Sequence, residues 1–216
     1  MTAKPRLYDY WRSSAAYRVR IALNLKGIDY ESIPVSLAPG EDEQMSDDYR
    51  TMNPQGLVPY YDDGEVATGQ SMAILEYLEE AHSNIALLPA DERDCAAVRS
   101  FCLGIACDIH PLNNLRVLKY LKGPLGATDE QFNAWYAHWI HEGFRSAEIF
   151  AEENSADGRF VFGDSATLAD CFLVPQTYNA RRFNVPLDDF PTLVGIVDAC
   201  NELDAFKAAY PTNPNA

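Results

Sequence analysis

Apolar and polar positions alternate along the first part of the chain in a way that predicts strands and helices in turn. A short apolar run at 7–10 predicts a strand. Val19, Ala22, Leu23 and Lys26 recur at the spacing of one helix face and predict a helix that Gly27 ends. A second strand is predicted at 30–35. A strand, a helix and another strand in such quick succession indicate a parallel βαβ unit.

A β-hairpin and one more helix complete this part of the chain. A tight turn at 62–64 separates strands predicted at 53–61 and 65–68, and helical spacing runs over 70–81. Pro59 cannot donate a hydrogen bond in the third strand, so we expect it at a sheet edge or in a special turn such as one with a cis peptide bond. With a short helix in the acidic segment before the hairpin, the order is β-α-β-α-β-β-α, the thioredoxin-like arrangement.

The remainder of the chain is predicted to be helical. Long amphipathic patterns run over 91–121 and 128–153, and a weaker pair of helices is predicted over 193–209. Thr167 and Asp170 form a capping box at the start of another helix. The expected fold is therefore an α/β domain followed by an all-α helical bundle.

Domain boundaries follow from this change of pattern. Residues 1–82 are expected to form the thioredoxin-like domain, and residues 93–216 the helical domain. The segment 83–92 is rich in turn-forming and charged residues and is expected to be a linker.

The composition narrows the range of partners and compartments. A formal charge of −15, from 17 Lys and Arg against 32 Asp and Glu, would repel nucleic acid and anionic membranes. No run approaches the roughly 18 apolar residues of a membrane span and no signal peptide is recognised, so a cytoplasmic protein is expected. The five cysteines include no C-x-x-C pair and are expected to be reduced structural thiols, and no metal site is predicted.

Ser13 and Ser14 stand at the predicted start of the first helix. Unbonded N–H groups and the positive end of the helix dipole favour an anion at this place, which could be a phosphate, a carboxylate or a thiolate. Redox proteins with a thioredoxin-like fold carry a C-x-x-C here, whereas this chain has Ser13-Ser14-Ala15-Ala16. An external thiol is therefore the simplest interpretation.

Motifs spread over nearly the whole chain resemble one known family. They are R-S-S-A-A-Y-R-V-R-I-A-L at 12–23, N-P-Q-G-L-V-P at 53–59, Q-S at 70–71, D-I-H-P-L-N-N-L at 108–115, L-A-D-C-F-L-V-P-Q at 168–176 and A-R-R-F at 180–183. Together they resemble the cytosolic glutathione transferases, and within them the zeta class of maleylacetoacetate isomerases and related bacterial maleylpyruvate isomerases. The resemblance implies the glutathione transferase architecture, glutathione as cofactor and a homodimer.

The resemblance implies a role for the serines at the helix start. In this class a serine hydroxyl donates a hydrogen bond to the glutathione sulfur, and by position that serine is Ser14, with Ser13 beside it as a second catalytic candidate. Since serine is too weak a base to take the proton, its role would be to stabilise the thiolate together with the helix terminus. The structural alternative is that both serines only cap the helix.

The resemblance also assigns residues to the other parts of glutathione. Val58 matches the residue whose backbone pairs with the cysteinyl part, and Pro59 matches a proline that is cis in the family. Gln70 and Ser71 match the residues that hold the γ-glutamyl end. The expected place of Ser71 at a helix N-terminus suits a carboxylate, although a simple capping role is compatible with the same position.

Two polar residues of the helical part are further candidates for cofactor binding. His110 and Asn114 match a segment that lines the site in the bacterial relatives. A structural role is an equally weighted alternative for His110, because it precedes a proline. His138 and His141 lack the metalloprotease pattern and are expected to be structural.

The implied reaction is the cis–trans isomerisation of a small dianionic maleyl-keto acid, either maleylacetoacetate or maleylpyruvate. The thiolate adds to the double bond, the resulting single bond rotates, and elimination regenerates glutathione. The two carboxylates and the charge that develops require cations, for which Arg12 and Arg182 are the best candidates. Arg181 competes with Arg182, and the structural alternative for both is a solvated helix charge.

One departure from the family pattern keeps the substrate open. Ala15 stands where the zeta signature has a cysteine, which leaves the serine-based mechanism in place. A second interpretation is a general transferase that conjugates glutathione to electrophiles or reduces peroxides. An interpretation of another class is a non-catalytic binding module, against which the retention of Ser14, Val58-Pro59 and Gln70-Ser71 argues.

Overall fold

The computed structural model describes residues 4–213, and its first elements confirm the predicted alternation of strands and helices. They are β1 (Arg6–Asp9), α1 (Ser14–Leu25), β2 (Glu31–Pro34), a 3-10 turn (Glu43–Met45), α2 (Asp47–Met52), β3 (Tyr60–Asp62), β4 (Ala67–Gly69) and α3 (Ser71–Ala81). The thioredoxin-like order of strands and helices is therefore confirmed.

The strands of the described residues form one mixed sheet in the order β2-β1-β3-β4. β1 and β2 run parallel, which confirms the βαβ unit, and β3 runs antiparallel to both β1 and β4. Tyr60 at the start of β3 pairs with Tyr8 near the end of β1 and with Gly69 at the end of β4. The end of β1, the start of β3 and the end of β4 therefore lie at one edge of the sheet, by which we mean the edge that the strand ends form.

The part of the chain after α3 is helical, as predicted. Its helices are α4 (Glu92–Leu103), a π-helical turn (Gly104–Ile109), α5 (Leu115–Lys122), α6 (Asp129–Asn154), α7 (Leu168–Arg182), α8 (Pro191–Cys200) and α9 (Asp204–Ala209). None of the helices within residues 4–213 combines the length and apolar character that crossing a membrane requires.

The amphipathic pattern predicted over 91–121 is interrupted in the structure. After α4 the chain widens into a π-helical turn, in which the His110 N–H donates to the Ile105 carbonyl at 2.9 Å. Pro111 has no N–H with which to continue a helix. Asn114 then begins α5 as its N-cap and accepts a hydrogen bond from the Arg116 N–H at 3.2 Å. Apolar spacing alone does not reveal such a break, because the buried positions continue on both sides of it.

Two compact units can be described. Of the described residues, the first unit comprises 4–86 and 204–213, whereas the second unit comprises Leu87–Leu203. The sequence placed α9 in the helical domain, but α9 packs against α1. The Asn24 amide donates to the Ala205 carbonyl at 2.9 Å, and Arg20 Nε donates to the Ala209 carbonyl at 3.0 Å.

The predicted capping box at the start of α7 is confirmed. Thr167 caps the helix, and the Asp170 carboxylate accepts hydrogen bonds from the Thr167 and Val161 N–H groups, both at 2.8 Å. Asp170 is fully buried, and this burial raises the pKa of its carboxyl group to about 6 against the pull of these hydrogen bonds.

The raised pKa of Asp170 predicts a pH-dependent contribution to stability. Because this pKa in the folded state lies above its ordinary value of 3.8, the contribution is present below pH 4 and is lost as the pH rises through 6. Between pH 4 and pH 7, we expect the unfolding free energy of the wild type to fall by about 2 kcal/mol more than that of Asp170→Asn does. Urea unfolding at both pH values measures this difference.

The exposed Asp188 offers a matched control for this prediction, since Asp188→Asn changes a carboxylate on the surface of the second unit. An Asp170→Asn protein with the same pH dependence as the wild type would show that Asp170 does not titrate in this way.

Candidate active site

The N-terminus of α1 separates the roles of the two serines. Ser13 is the N-cap, and its hydroxyl accepts a hydrogen bond from the Ala16 N–H at 3.3 Å. Ser14 is the first residue of the helix and is buried, with 4% of its surface exposed. The structural alternative therefore accounts for the Ser13 hydroxyl, while Ser14 lies in the first turn, where helical N–H groups and the dipole favour an anion.

The loop between β1 and α1 is held by a buried ion pair. Arg20 Nη1 donates to both carboxylate oxygens of Asp9, at 2.7 and 2.6 Å. Arg20 Nη2 donates to the Trp11 carbonyl at 3.1 Å, immediately before Arg12. Arg20 thus fixes the backbone segment that carries Arg12 and the two serines.

Arg12 lies over aromatic rings in this loop. The centre of its guanidinium is 5.4 Å from the Trp11 ring and 5.8 Å from the Tyr10 ring, and Nη2 contacts the Tyr10 hydroxyl at 3.5 Å. No carboxylate of the described residues forms an ion pair with Arg12. A guanidinium held on aromatic faces keeps its N–H edges available for a carboxylate.

The backbone before β3 has the conformation that the resemblance implies. The Val58–Pro59 peptide bond is cis. The preceding Leu57 carbonyl accepts hydrogen bonds from the Tyr49 hydroxyl and the Asn53 amide, both at 2.7 Å. Within residues 4–213, no hydrogen bond engages the Val58 N–H or carbonyl. These groups are therefore available to pair with an extended peptide.

Gln70 and Ser71 form the start of α3. Gln70 has a positive φ of 67°, a conformation that is rare outside glycine, and its side-chain amide donates to Gln55 Oε1 at 2.7 Å. Ser71 is the first residue of the helix and 6% exposed, and its hydroxyl accepts a hydrogen bond from Arg18 Nη1 at 3.1 Å.

The sheet brings these three segments together. Ser14 follows the end of β1, Val58 precedes the start of β3, and Ser71 follows the end of β4. Because Tyr60 pairs with both Tyr8 and Gly69, all three segments leave the same edge of the sheet. The first unit therefore combines two helix N-termini with a peptide backbone whose N–H and carbonyl groups are unpaired.

The predicted cofactor-binding residues of the second unit lie around the break before α5. Asn114 Oδ1 caps α5, and the Asn114 side-chain nitrogen is 3.5 Å from His110 Nε2. A role in helix capping is thus established for Asn114, and the role of both residues in cofactor binding stays a prediction. His141 Nε2 contacts the Pro186 carbonyl at 2.8 Å, which agrees with the structural role expected for it.

The two neighbouring arginines at the end of α7 differ in their partners. Arg181 forms an ion pair with Asp198 at 2.9 Å. The Arg182 guanidinium instead lies 4.6 Å from the centre of the Phe183 ring, and Phe183 stacks on Tyr136 with 3.8 Å between ring centres. Burial raises the pKa of the Tyr136 hydroxyl to about 12, although the nearby charge of Arg182 acts against this rise. Among the described residues no carboxylate neutralises Arg182, so the geometry favours it over Arg181 for binding an anion.

No motif in the sequence assigns a role to Arg18, yet in the structure its guanidinium contacts the Ser71 hydroxyl. It lies four residues after Ser14 in α1 and is 1% exposed. A charged residue in a helix segment that is otherwise buried is the signal that could have identified it, because a buried arginine requires partners.

Comparisons with known proteins agree with this geometry. Residues 7–86 match the model of the glutathione S-transferase N-terminal domain. Maleylpyruvate isomerase from a Ralstonia species is 47% identical over 206 residues, which cover 95% of this chain and 96% of that protein.

Solved structures resemble the chain over its full length. One is the holo structure of a maleylpyruvate isomerase described as a bacterial glutathione S-transferase of the zeta class, with a TM-score of 0.93, 46% identity and 98% and 99% of the two chains covered. Another is maleylacetoacetate isomerase from Methylobacterium extorquens with bound malonate and glutathione, with a TM-score of 0.91, 37% identity and coverage of 98% and 99%. These similarities confirm the predicted glutathione transferase architecture. The chain belongs to the zeta class of the glutathione transferases.

Proposed function

We propose that this protein is a glutathione-dependent cis–trans isomerase of a small dianionic maleyl-keto acid, maleylacetoacetate or maleylpyruvate. The observation that carries the proposal is the arrangement at one edge of the sheet, where Ser14, the Val58 backbone and Ser71 follow or precede adjacent strands. The relatives named as isomerases of these two substrates support it.

The chemistry of this edge fits the parts of glutathione in turn. The Val58 N–H and carbonyl suit its peptide backbone, and Ser71 at the start of α3 suits the carboxylate of its γ-glutamyl end. Gln70 lies beside that position, and Pro59 fixes the direction of the chain after Val58. His110 and Asn114 are proposed as additional cofactor-binding residues.

When bound, glutathione supplies a thiolate that adds to the conjugated double bond and is released after rotation. Ser14 donates a hydrogen bond toward the sulfur position and holds the group there in its ionised form, with help from the N–H groups of the α1 terminus. Ser13 supports this geometry mainly as the N-cap of the same helix.

Recognition of the substrate is assigned to two arginines. Arg12 and Arg182 lie over aromatic rings, and neither has a carboxylate partner among residues 4–213. Their guanidinium groups can hold carboxylates in a bidentate manner and stabilise negative charge that develops on a carbonyl oxygen. The malonate in a related isomerase structure is a small dicarboxylate, in agreement with such a substrate.

A homodimer in the cytoplasm is also proposed, with glutathione bound by the domain at 1–82. The resemblance to the cytosolic glutathione transferases supports both. Sedimentation at several protein concentrations tests the dimer, since a single species of monomer mass at all concentrations contradicts it.

Assays with both maleyl substrates test the proposed function. We expect formation of the fumaryl product to require glutathione and to exceed the conjugation of a general aromatic electrophile. Rapid conjugation without isomerisation would favour a general transferase. Absence of glutathione binding in calorimetry would favour a non-catalytic module.

A further inference from the structure

The guanidinium of Arg18 contacts the proposed glutathione site from inside the protein. Arg18 lies one turn after Ser14 in α1 and is 1% exposed, and its Nη1 donates a hydrogen bond to Ser71 Oγ at 3.1 Å. This bond joins the helix that begins at Ser14 to the first residue of α3. One buried cation therefore connects two of the three segments at the sheet edge.

The direction of this hydrogen bond constrains the Ser71 hydroxyl. A guanidinium has five donors and no acceptor, whereas a hydroxyl has one hydrogen and two lone pairs. Because Arg18 occupies a lone pair, the hydrogen of Ser71 must be donated elsewhere. Among residues 4–213, no acceptor for a hydrogen bond donated by Ser71 is found, although only 6% of the surface of this residue is exposed.

The surroundings of Ser71 select an anion as the acceptor. Ser71 begins an 11-residue helix, so the first unpaired N–H groups and the positive end of the dipole lie next to this residue. A buried guanidinium adds positive charge where water screens it poorly. In a chain with a net charge of −15, such a local field is what a carboxylate needs in order to bind.

We propose that Arg18 is a positioning residue that fixes the Ser71 hydroxyl as a donor toward the γ-glutamyl carboxylate of glutathione. The inference rests on the proposed function and adds to it a residue that does not touch the cofactor. Arg18 acts on glutathione affinity, and it acts through Ser71.

A matched pair of substitutions separates this role from simple packing. Arg18→Lys keeps a donor without an acceptor, whereas Arg18→Gln brings an amide oxygen that can accept the Ser71 hydrogen. We expect Arg18→Gln to raise KM for glutathione about 10-fold and Arg18→Lys to raise it less than about 3-fold. The value of kcat at saturating glutathione should change less than about twofold in both.

A truncated thiol provides the readout that a general structural defect would not give. Cysteinylglycine lacks the γ-glutamyl residue, so we expect its KM to be the same for wild type, Arg18→Gln and Ser71→Ala, while the last two variants share a raised KM for glutathione. The double variant should be no worse than either single variant, because both remove the same contact.

Two results would overturn the inference. One is an unchanged KM for glutathione in Arg18→Gln or Ser71→Ala, and the other is an equal rise for both thiols. If a substitution at Arg18 prevents folding, Ser71→Ala still tests the inference, because it removes only one hydroxyl group. A wild-type protein that does not use glutathione at all would instead contradict the proposed function.

Discussion

Replacing Ser14 with alanine is expected to lower kcat/KM for isomerisation about 100-fold at pH 7, the loss that follows removal of one donor from a charged reacting centre. The hydroxyl lies in the first turn of α1, 4% exposed, where it supports the ionised form of the bound thiol. Without it, the pKa of that thiol should move toward the value of about 8.5 for a free thiol. The rate deficit is therefore expected to be smaller at pH 9, and a pH profile of kcat/KM measures it.

Ser13→Ala is the matched control for this prediction. Since the Ser13 hydroxyl accepts a hydrogen bond from Ala16, its removal should reduce the unfolding free energy by about 1 kcal/mol and affect the rate much less than Ser14→Ala does. The reverse pattern, with a full rate in Ser14→Ala and a large loss in Ser13→Ala, would move the thiolate role to Ser13.

Replacing Arg182 with methionine is expected to lower kcat/KM for the maleyl substrate about 100-fold and to leave KM for glutathione nearly unchanged. The loss corresponds to about 3 kcal/mol, a size that requires the bound substrate to bury the guanidinium of Arg182, which is exposed in the structure. Arg182→Lys should recover only part of the activity, because an ammonium group cannot reproduce the bidentate fork. Steady-state kinetics with each substrate varied in turn measures both effects.

Arg181→Met is the control on the neighbouring residue. Arg181 is paired with Asp198, so its loss should remove a surface ion pair worth less than about 1 kcal/mol and leave kcat/KM within about twofold of the wild type. Equal losses in the two variants would contradict the assignment of substrate recognition to Arg182.

Local chemistry made several features of both units predictable from sequence. Ser13 caps α1 as expected, and Thr167 and Asp170 form the predicted capping box, because short polar side chains at a helix start can bond the backbone N–H groups that the helix leaves unpaired. The cis Val58–Pro59 bond confirms what the resemblance implied. Such features depend on residues that are close in sequence, so one sequence is enough to predict them.

Features that depend on distant contacts could not be predicted in this way. The docking of α9 on α1 rests on Arg20 and Asn24, which donate to carbonyl groups 189 and 181 residues further along the chain. The contact between Arg18 and Ser71 spans 53 residues and leaves no periodic pattern. The proposal of Arg182 over Arg181 for substrate binding likewise rests on the positions of Asp198 and Phe183.

One residue of the signature at α1 differs from the family pattern. Ala15, which replaces the signature cysteine, is buried within the first turn, next to Ser14. We propose that the thiolate role belongs to Ser14 and the choice of substrate to residues around the arginines, so that restoring a cysteine at position 15 leaves the preference between the two substrates unchanged.

The most direct test of a catalytic rather than consumed glutathione is the yield of product per glutathione. With glutathione at one hundredth of the substrate concentration, and with the rate of the uncatalysed reaction subtracted, NMR should show complete conversion of the maleyl substrate to its fumaryl isomer while glutathione remains unmodified. The account would be contradicted if conversion stopped at about one hundredth of the substrate because all of the glutathione had been consumed. It would also be contradicted if conversion proceeded equally well without glutathione.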